Sequence, residues 1–138
     1  MNGTPPGKTL LRRCFSSMRK RTITFCTGAL GYGAVELAWR GSTHWTMLLA
    51  GGLALLLIEG ISDGLRLPLA LQAAAAAAAI TLLELAAGLV CNRLLGWQVW
   101  DYSRQWGNLW GQVCPLYSLF WFALCLPWVW MFRRTRRS

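Results

Sequence analysis

Acidic side chains and histidine are scarce in this chain: 138 residues hold one histidine and five carboxylates, against 14 lysines and arginines. His44, standing alone in a loop, supports no catalytic assignment and is expected to be solvated. The five cysteines, Cys14, Cys26, Cys91, Cys114 and Cys125, are odd in number and lack C-x-x-C spacing, so no metal or redox motif follows. Small apolar packing is the reading for all five. Cys91 and Cys114 fall near helix ends on the same side, where a disulfide is the alternative. A phosphate-binding loop, a nucleophile–base pair and a metal-ligand cluster are all missing, so an enzyme is the less favoured reading and no cofactor or metal is expected.

What is abundant is apolar surface, at 55% of residues. It comes in four blocks, 22–39, 45–61, 67–90 and 116–132, each near the roughly 20 residues that a helix needs to cross a bilayer. The expectation is an all-α, polytopic membrane protein with four transmembrane helices over 22–40, 45–61, 66–91 and 115–132. An interfacial or re-entrant segment, 92–114, lies between the third and fourth. The first block follows a basic stretch as a signal peptide would, but its length, Glu36 and the lack of a small-residue cleavage site mark a retained helix.

The net charge of +9 would fit nucleic acid, yet its placement argues for a membrane and against a nucleic-acid partner. Lys8, Arg12, Arg13, Arg19, Lys20 and Arg21 precede the first block, and Arg133, Arg134, Arg136 and Arg137 follow the last. By the positive-inside rule the tails 1–21 and 133–138 are both cytoplasmic, which an even number of spans requires. Arg40, Arg93 and Arg104 alone face the other side, so one orientation is expected, in the plasma membrane of a bacterial cell. Membrane lipids are the implied partners, since each Lys or Arg near anionic lipid contributes about 1 kcal/mol.

Small residues have a mechanical meaning here. The alanine run 73–79, with Gly28, Gly31 and Gly33 in the first helix and Gly51 and Gly52 in the second, allows close helix approach. Intramembrane carboxylates need a different explanation, because each costs about 2.5–3.5 kcal/mol at a helix centre. Glu36 stands one turn before Arg40, in the favourable order for a helical ion pair. Glu84 has no basic residue one turn away on either side. It belongs instead to a stripe of Thr81, Glu84, Gly88, Cys91 and Asn92, which should face protein. Glu59 and Asp63, with Arg66 beyond, read as a solvated helix-end cluster.

The stretch WDYSRQWGNLWGQVC (100–114) carries the densest polar and aromatic mixture. If helical, it sets Asp101, Gln105, Asn108 and Gln112 on one face toward the bundle, leaving Trp97, Trp100, Trp106 and Trp110 for the membrane interface. Gly107 and Gly111 make a partly helical, re-entrant or interfacial segment equally acceptable.

These motifs resemble those of the ABC-transporter type IV family, whose members are small four-helix membrane proteins. GYGAVE, with Tyr32 and Glu36, is similar to its first-helix element. RGSTHW, from Arg40, is similar to the turn that follows, and LELAAG, with Glu84 and Gly88, to its third-helix element. The most specific match is Trp-Asp-Tyr-Ser followed by Asn-x-x-Gly and a cysteine. Together these cover 31–121. The family usually has Arg where this chain has Gln112, so no anion contact carries over to that position.

Three functions fit. The first is transport or permeation of a cation or small polar solute, with Glu36 and Glu84 beneath a lid of Asp101, Tyr102, Arg104 and Asn108, supported by Tyr32, Arg40, Trp100, Gln105 and Gln112. A homo-oligomer in parallel orientation would then be expected, because four helices make a small pore on their own. An unidentified protein subunit is a further partner to consider. The second is a structural or assembly module, in which Glu36, Arg40, Glu84, Asp101, Arg104 and Asn108 form a buried polar network. The third is a lipid-headgroup binder or intramembrane enzyme, with Asp101 and Tyr102 acting on a headgroup and Arg104 holding its phosphate.

Overall fold

The computed structural model describes residues 6–138, so residues 1–5 of the expected N-terminal tail lie outside it. Four helices follow one another: α1 (Pro6–Arg40), α2 (Trp45–Gly64), α3 (Leu69–Gly88), which continues as a π-helical turn over Leu89–Leu94, and α4 (Pro115–Arg137). No strand forms among the described residues beyond an isolated bridge between Leu109 and Val113. Three of these helices, α2, α3 with its π turn, and α4, are long and apolar enough to cross a membrane.

The first helix starts earlier than its apolar block suggests. Pro6 is well placed in a first turn, and no glycine or proline interrupts 8–21, so the helix runs through the basic segment. That extension is exposed along its whole length, including Leu10, Leu11, Phe15 and Met18.

Beyond the extension the α1 backbone comes close to that of α2 alone among the helices. A Cβ on Gly28 would sit 2.5 Å from the Gly51 carbonyl oxygen, and one on Gly51 would collide with the Tyr32 Cβ. Only glycine lets the two backbones come this close. Gly33 and Gly52 likewise take Leu48 and Phe25 against them, whereas Gly31 has nothing within 4 Å and is no packing contact.

Across α3 and α4 alanine takes the same part. Ala73, Ala76 and Ala77 are buried with Cys125, Val129 and Phe132 of α4 and with Ala54, Leu55 and Ile58 of α2. Thr81 and Ser118 add a hydrogen bond of 3.0 Å across the α3–α4 seam. Cys91, Cys114 and Cys125 are buried free thiols, so no disulfide joins Cys91 to Cys114. Cys14 and Cys26 are exposed on α1 instead of packed.

Both basic segments end up at one end of the bundle. Lys20 of α1 pairs with Glu59 at 3.1 Å, and Arg136 of α4 lies 4.0 Å from Asp63. Glu59 is only 5% exposed, so it is a buried pair member and not part of a solvated cluster with Arg66. The short α2–α3 connection, 65–68, is clamped from both sides. Gln72 donates to the carbonyls of Leu65 and Ser62 and accepts from Arg133, which also donates to the Leu67 carbonyl at 2.8 Å. Arg136 donates to the carbonyls of Ser62 and Asp63.

At the opposite end His44 is half-buried and functional in the fold, not solvated. Its Nδ1 accepts from the Thr46 amide to cap α2, and its ring lies against Trp45 and Trp97 at 5.7 and 5.8 Å.

An acid-lined cleft between α1 and α4

Tyr32, Glu36 and Arg40 recur every four residues along α1 and therefore share one face. Glu36 is 8% exposed and accepts from Arg40 at 3.2 Å, as the spacing predicts. The second Arg40 nitrogen donates to the Val99 carbonyl at 2.7 Å, fastening the long connection to α1. Below them, the Tyr32 ring stacks on Trp121 of α4, with centroids 5.4 Å apart and planes 14° off parallel. That stack bridges two helices whose backbones do not meet.

The gap left between α1 and α4 is a cavity of about 700 Å³. Small-molecule sites commonly span roughly 300–1,000 Å³. Glu84 enters from α3, 7% exposed, and no ion pair reaches it among the described residues. The Trp121 indole and the Glu36 carboxylate line the same cavity. Trp100, Tyr102 and Tyr117 cover the loop end, while Val35, Trp39, Phe120 and Leu124 form the mouth.

The covering segment is not a helix. Between Leu95 and Cys114 the chain runs through turns, and its order comes from side chains bonding to backbone. Asn92 is the hub: it donates to the Trp100 carbonyl and to Gln112, and accepts from the Val99 amide at 2.7 Å. Gln112 also donates to the Trp110 carbonyl, and its side chain presses on Gly88, where any Cβ would collide with it. Trp100 donates to the Gln112 carbonyl and is buried, which reverses its expected place at the lipid interface. Trp97, Trp106 and Trp110 are exposed.

With no helical face to share, the polar residues of this segment part company. Asn108 turns inward on its own loop, donating to the carbonyls of Ser103 and Gln105 and accepting from the Gly111 amide. Asp101 is exposed at the cleft rim and caps a turn through the Ser103 amide and hydroxyl, both at 2.9 Å. Those two hydrogen bonds hold its carboxyl below the usual range. Gly111, at φ 71°, lets the chain pass over this turn, since a Cβ there would lie 3.1 Å from Asp101 Oδ1. Tyr102 stacks on Tyr117 at 4.5 Å, and burial, then the Glu84 charge, pushes its hydroxyl above its ordinary value.

Of the residues singled out by sequence, Tyr32, Glu36, Arg40, Glu84, Trp100, Asp101, Tyr102 and Gln105 therefore meet around one cavity. Asn108, Arg104 and Gln112 do not line it. The cleft residues of α4 carry no charge or motif to single them out, but Tyr117, Trp121 and Leu124 follow a four-then-three spacing that sets them on one helical face.

A family model described as Putative ABC-transporter type IV matches residues 18–137. The chain belongs to this family. The match takes in all four apolar blocks and every residue of the cleft, and it agrees with the motifs from Tyr32 to Cys114 that resemble the family's own. No curated protein and no solved structure matches the chain.

Proposed function

We propose that the chain crosses the membrane four times, with both basic ends on the cytoplasmic side, and that the cleft at Glu36 and Glu84 binds a cation or small polar solute for passage. Support for the fourth span comes from α1 lying along α2, and from Lys20 and Arg136 meeting α2 at the same end. One observation carries the solute reading: Glu84 is a buried carboxylate, without a basic partner among the described residues, on the wall of a solute-sized cavity. A charge in that position is costly unless something mobile offsets it. The family's name points the same way. A parallel homo-oligomer, a further protein subunit and residence in the cell membrane belong to this reading, since one copy offers a cleft and not a pore. Purified protein in liposomes is expected to show cation flux that Glu84→Gln abolishes. Equal flux in the two proteins would reject the reading.

A structural role has its own observation in favour. The Asn92, Gln112, Trp100 and Arg40 hydrogen bonds lock the long connection to α1 and α3 without any ligand. Its centre is Asn92 and Gln112, however, and Glu84 takes no part in it. A module of this kind predicts that Glu84→Gln changes neither ligand binding nor flux, and that Asn92→Ala loosens the loop.

A further inference from the structure

Among the described residues three of the five carboxylates pair with a basic side chain, Glu36 with Arg40, Glu59 with Lys20 and Asp63 with Arg136, and a fourth, Asp101, is exposed and held by Ser103. Glu84 is the exception, and it is also more than nine-tenths buried. Because Arg40 already pairs with Glu36, Glu84 is the one buried carboxylate of the cleft without a basic partner among the described residues.

The walls say what kind of charge would fit. Inorganic cations are held by several oxygen ligands, with six to eight typical for calcium. No group of three or more His, Cys, Asp or Glu side chains converges among the described residues. The cavity that Glu84 lines is instead walled by aromatic rings, Trp100 and the stacked pairs Tyr32–Trp121 and Tyr102–Tyr117, and aromatic rings attract large, weakly hydrated cations. Its mouth is apolar as well: Val35, Trp39, Phe120 and Leu124 are all exposed on the flanks of α1 and α4. In helices that cross a bilayer, this opening faces acyl chains along the side of the bundle.

We infer that the cleft takes a lipophilic organic monocation, entering sideways from the bilayer between α1 and α4 and seating its charge against Glu84 among the aromatic rings. This rests on the reading of the cleft as a solute site and names the class of solute.

Tetraphenylphosphonium tests the class, with choline and potassium as hydrophilic cations of the same charge. Full-length protein in detergent is titrated with each, following tryptophan fluorescence and calorimetry. Tetraphenylphosphonium is expected to bind saturably, to outcompete choline and potassium, and to bind Glu84→Gln weaker by at least about thirtyfold. Thermal unfolding of Glu84→Gln checks that the variant is folded. Leu124→Trp, a change at an exposed position of the mouth, is expected to slow association from liposomes while Glu84 stays intact.

Glu84-dependent binding of choline or potassium in preference to tetraphenylphosphonium overturns the lipophilic class and leaves the solute site standing. Equal binding of tetraphenylphosphonium to wild type and Glu84→Gln, with no Glu84-dependent binding of the other two, overturns both. Unchanged association in Leu124→Trp overturns the lateral route.

Discussion

The two ends of the bundle handle charge differently. At the basic end Glu59 and Asp63 each meet a cation from another helix, and Gln72, Arg133 and Arg136 absorb the carbonyls of the α2–α3 turn. At the loop end the hydrogen bonding is just as dense around Asn92 and Gln112, yet it bypasses Glu84. A buried ion pair can be a structural device, whereas a buried carboxylate left over after neighbouring groups are satisfied is a place for something that comes and goes. On the proposed reading the contrast sets a solute site beside Glu84 at one end, against a fully paired fastening at the other.

The contrast breaks most visibly at Lys20. Lys20→Met strands the Glu59 carboxylate in a buried site, and a loss of about 2 kcal/mol is expected in thermal unfolding in detergent. The matching change at the other end, Glu84→Gln, removes a charge with no partner and is expected to leave stability level or to raise it. A large loss for Glu84→Gln would mean that the two ends are alike.

A smaller effect is expected for Gln112→Ala, which removes the bonds to Asn92 and to the Trp110 carbonyl and costs about 1 kcal/mol. Hydrogen exchange should rise across 95–114 and stay unchanged over the Gln72 turn. Spread of the change to both ends would show that they are one cooperative unit.

The smallest effect concerns Asp101. Its folded pKa is lowered by the Ser103 hydrogen bonds, so the stabilisation of that turn is present above the ordinary carboxylate pKa. It is lost as pH falls through the lowered folded value. Ser103 amide exchange is expected to quicken only in that acidic range, and Asp101→Asn should remove the pH dependence while the cleft keeps its shape.

Much of this architecture can be read along the chain. The helices over the four apolar blocks, three of them long and apolar enough to cross a membrane, follow from composition, and the Glu36–Arg40 pair and the inward stripe from Thr81 to Asn92 from helical periodicity. Periodicity fails in 95–114, where the backbone follows no repeat and each side chain's direction is set by one local bond. Trp100 consequently turns inward while Trp106 turns out, and Asn108 serves its own loop. Spacing along one helix is equally silent about Lys20 and Glu59, which lie 39 positions apart in the numbering.

Sequence by itself determined that Glu84 has no cation within a helical turn, and that the small residues of α1, α2 and α3 could bring helices close. Only the tertiary structure decided that, among the described residues, no cation arrives from another helix either. The Gly28–Gly51 contact draws α1 onto α2, so its backbone does not reach α4, and the space that remains opens beside Glu84. Local spacing governs neighbours on one helix; whether a buried charge is answered depends on how every helix around it packs.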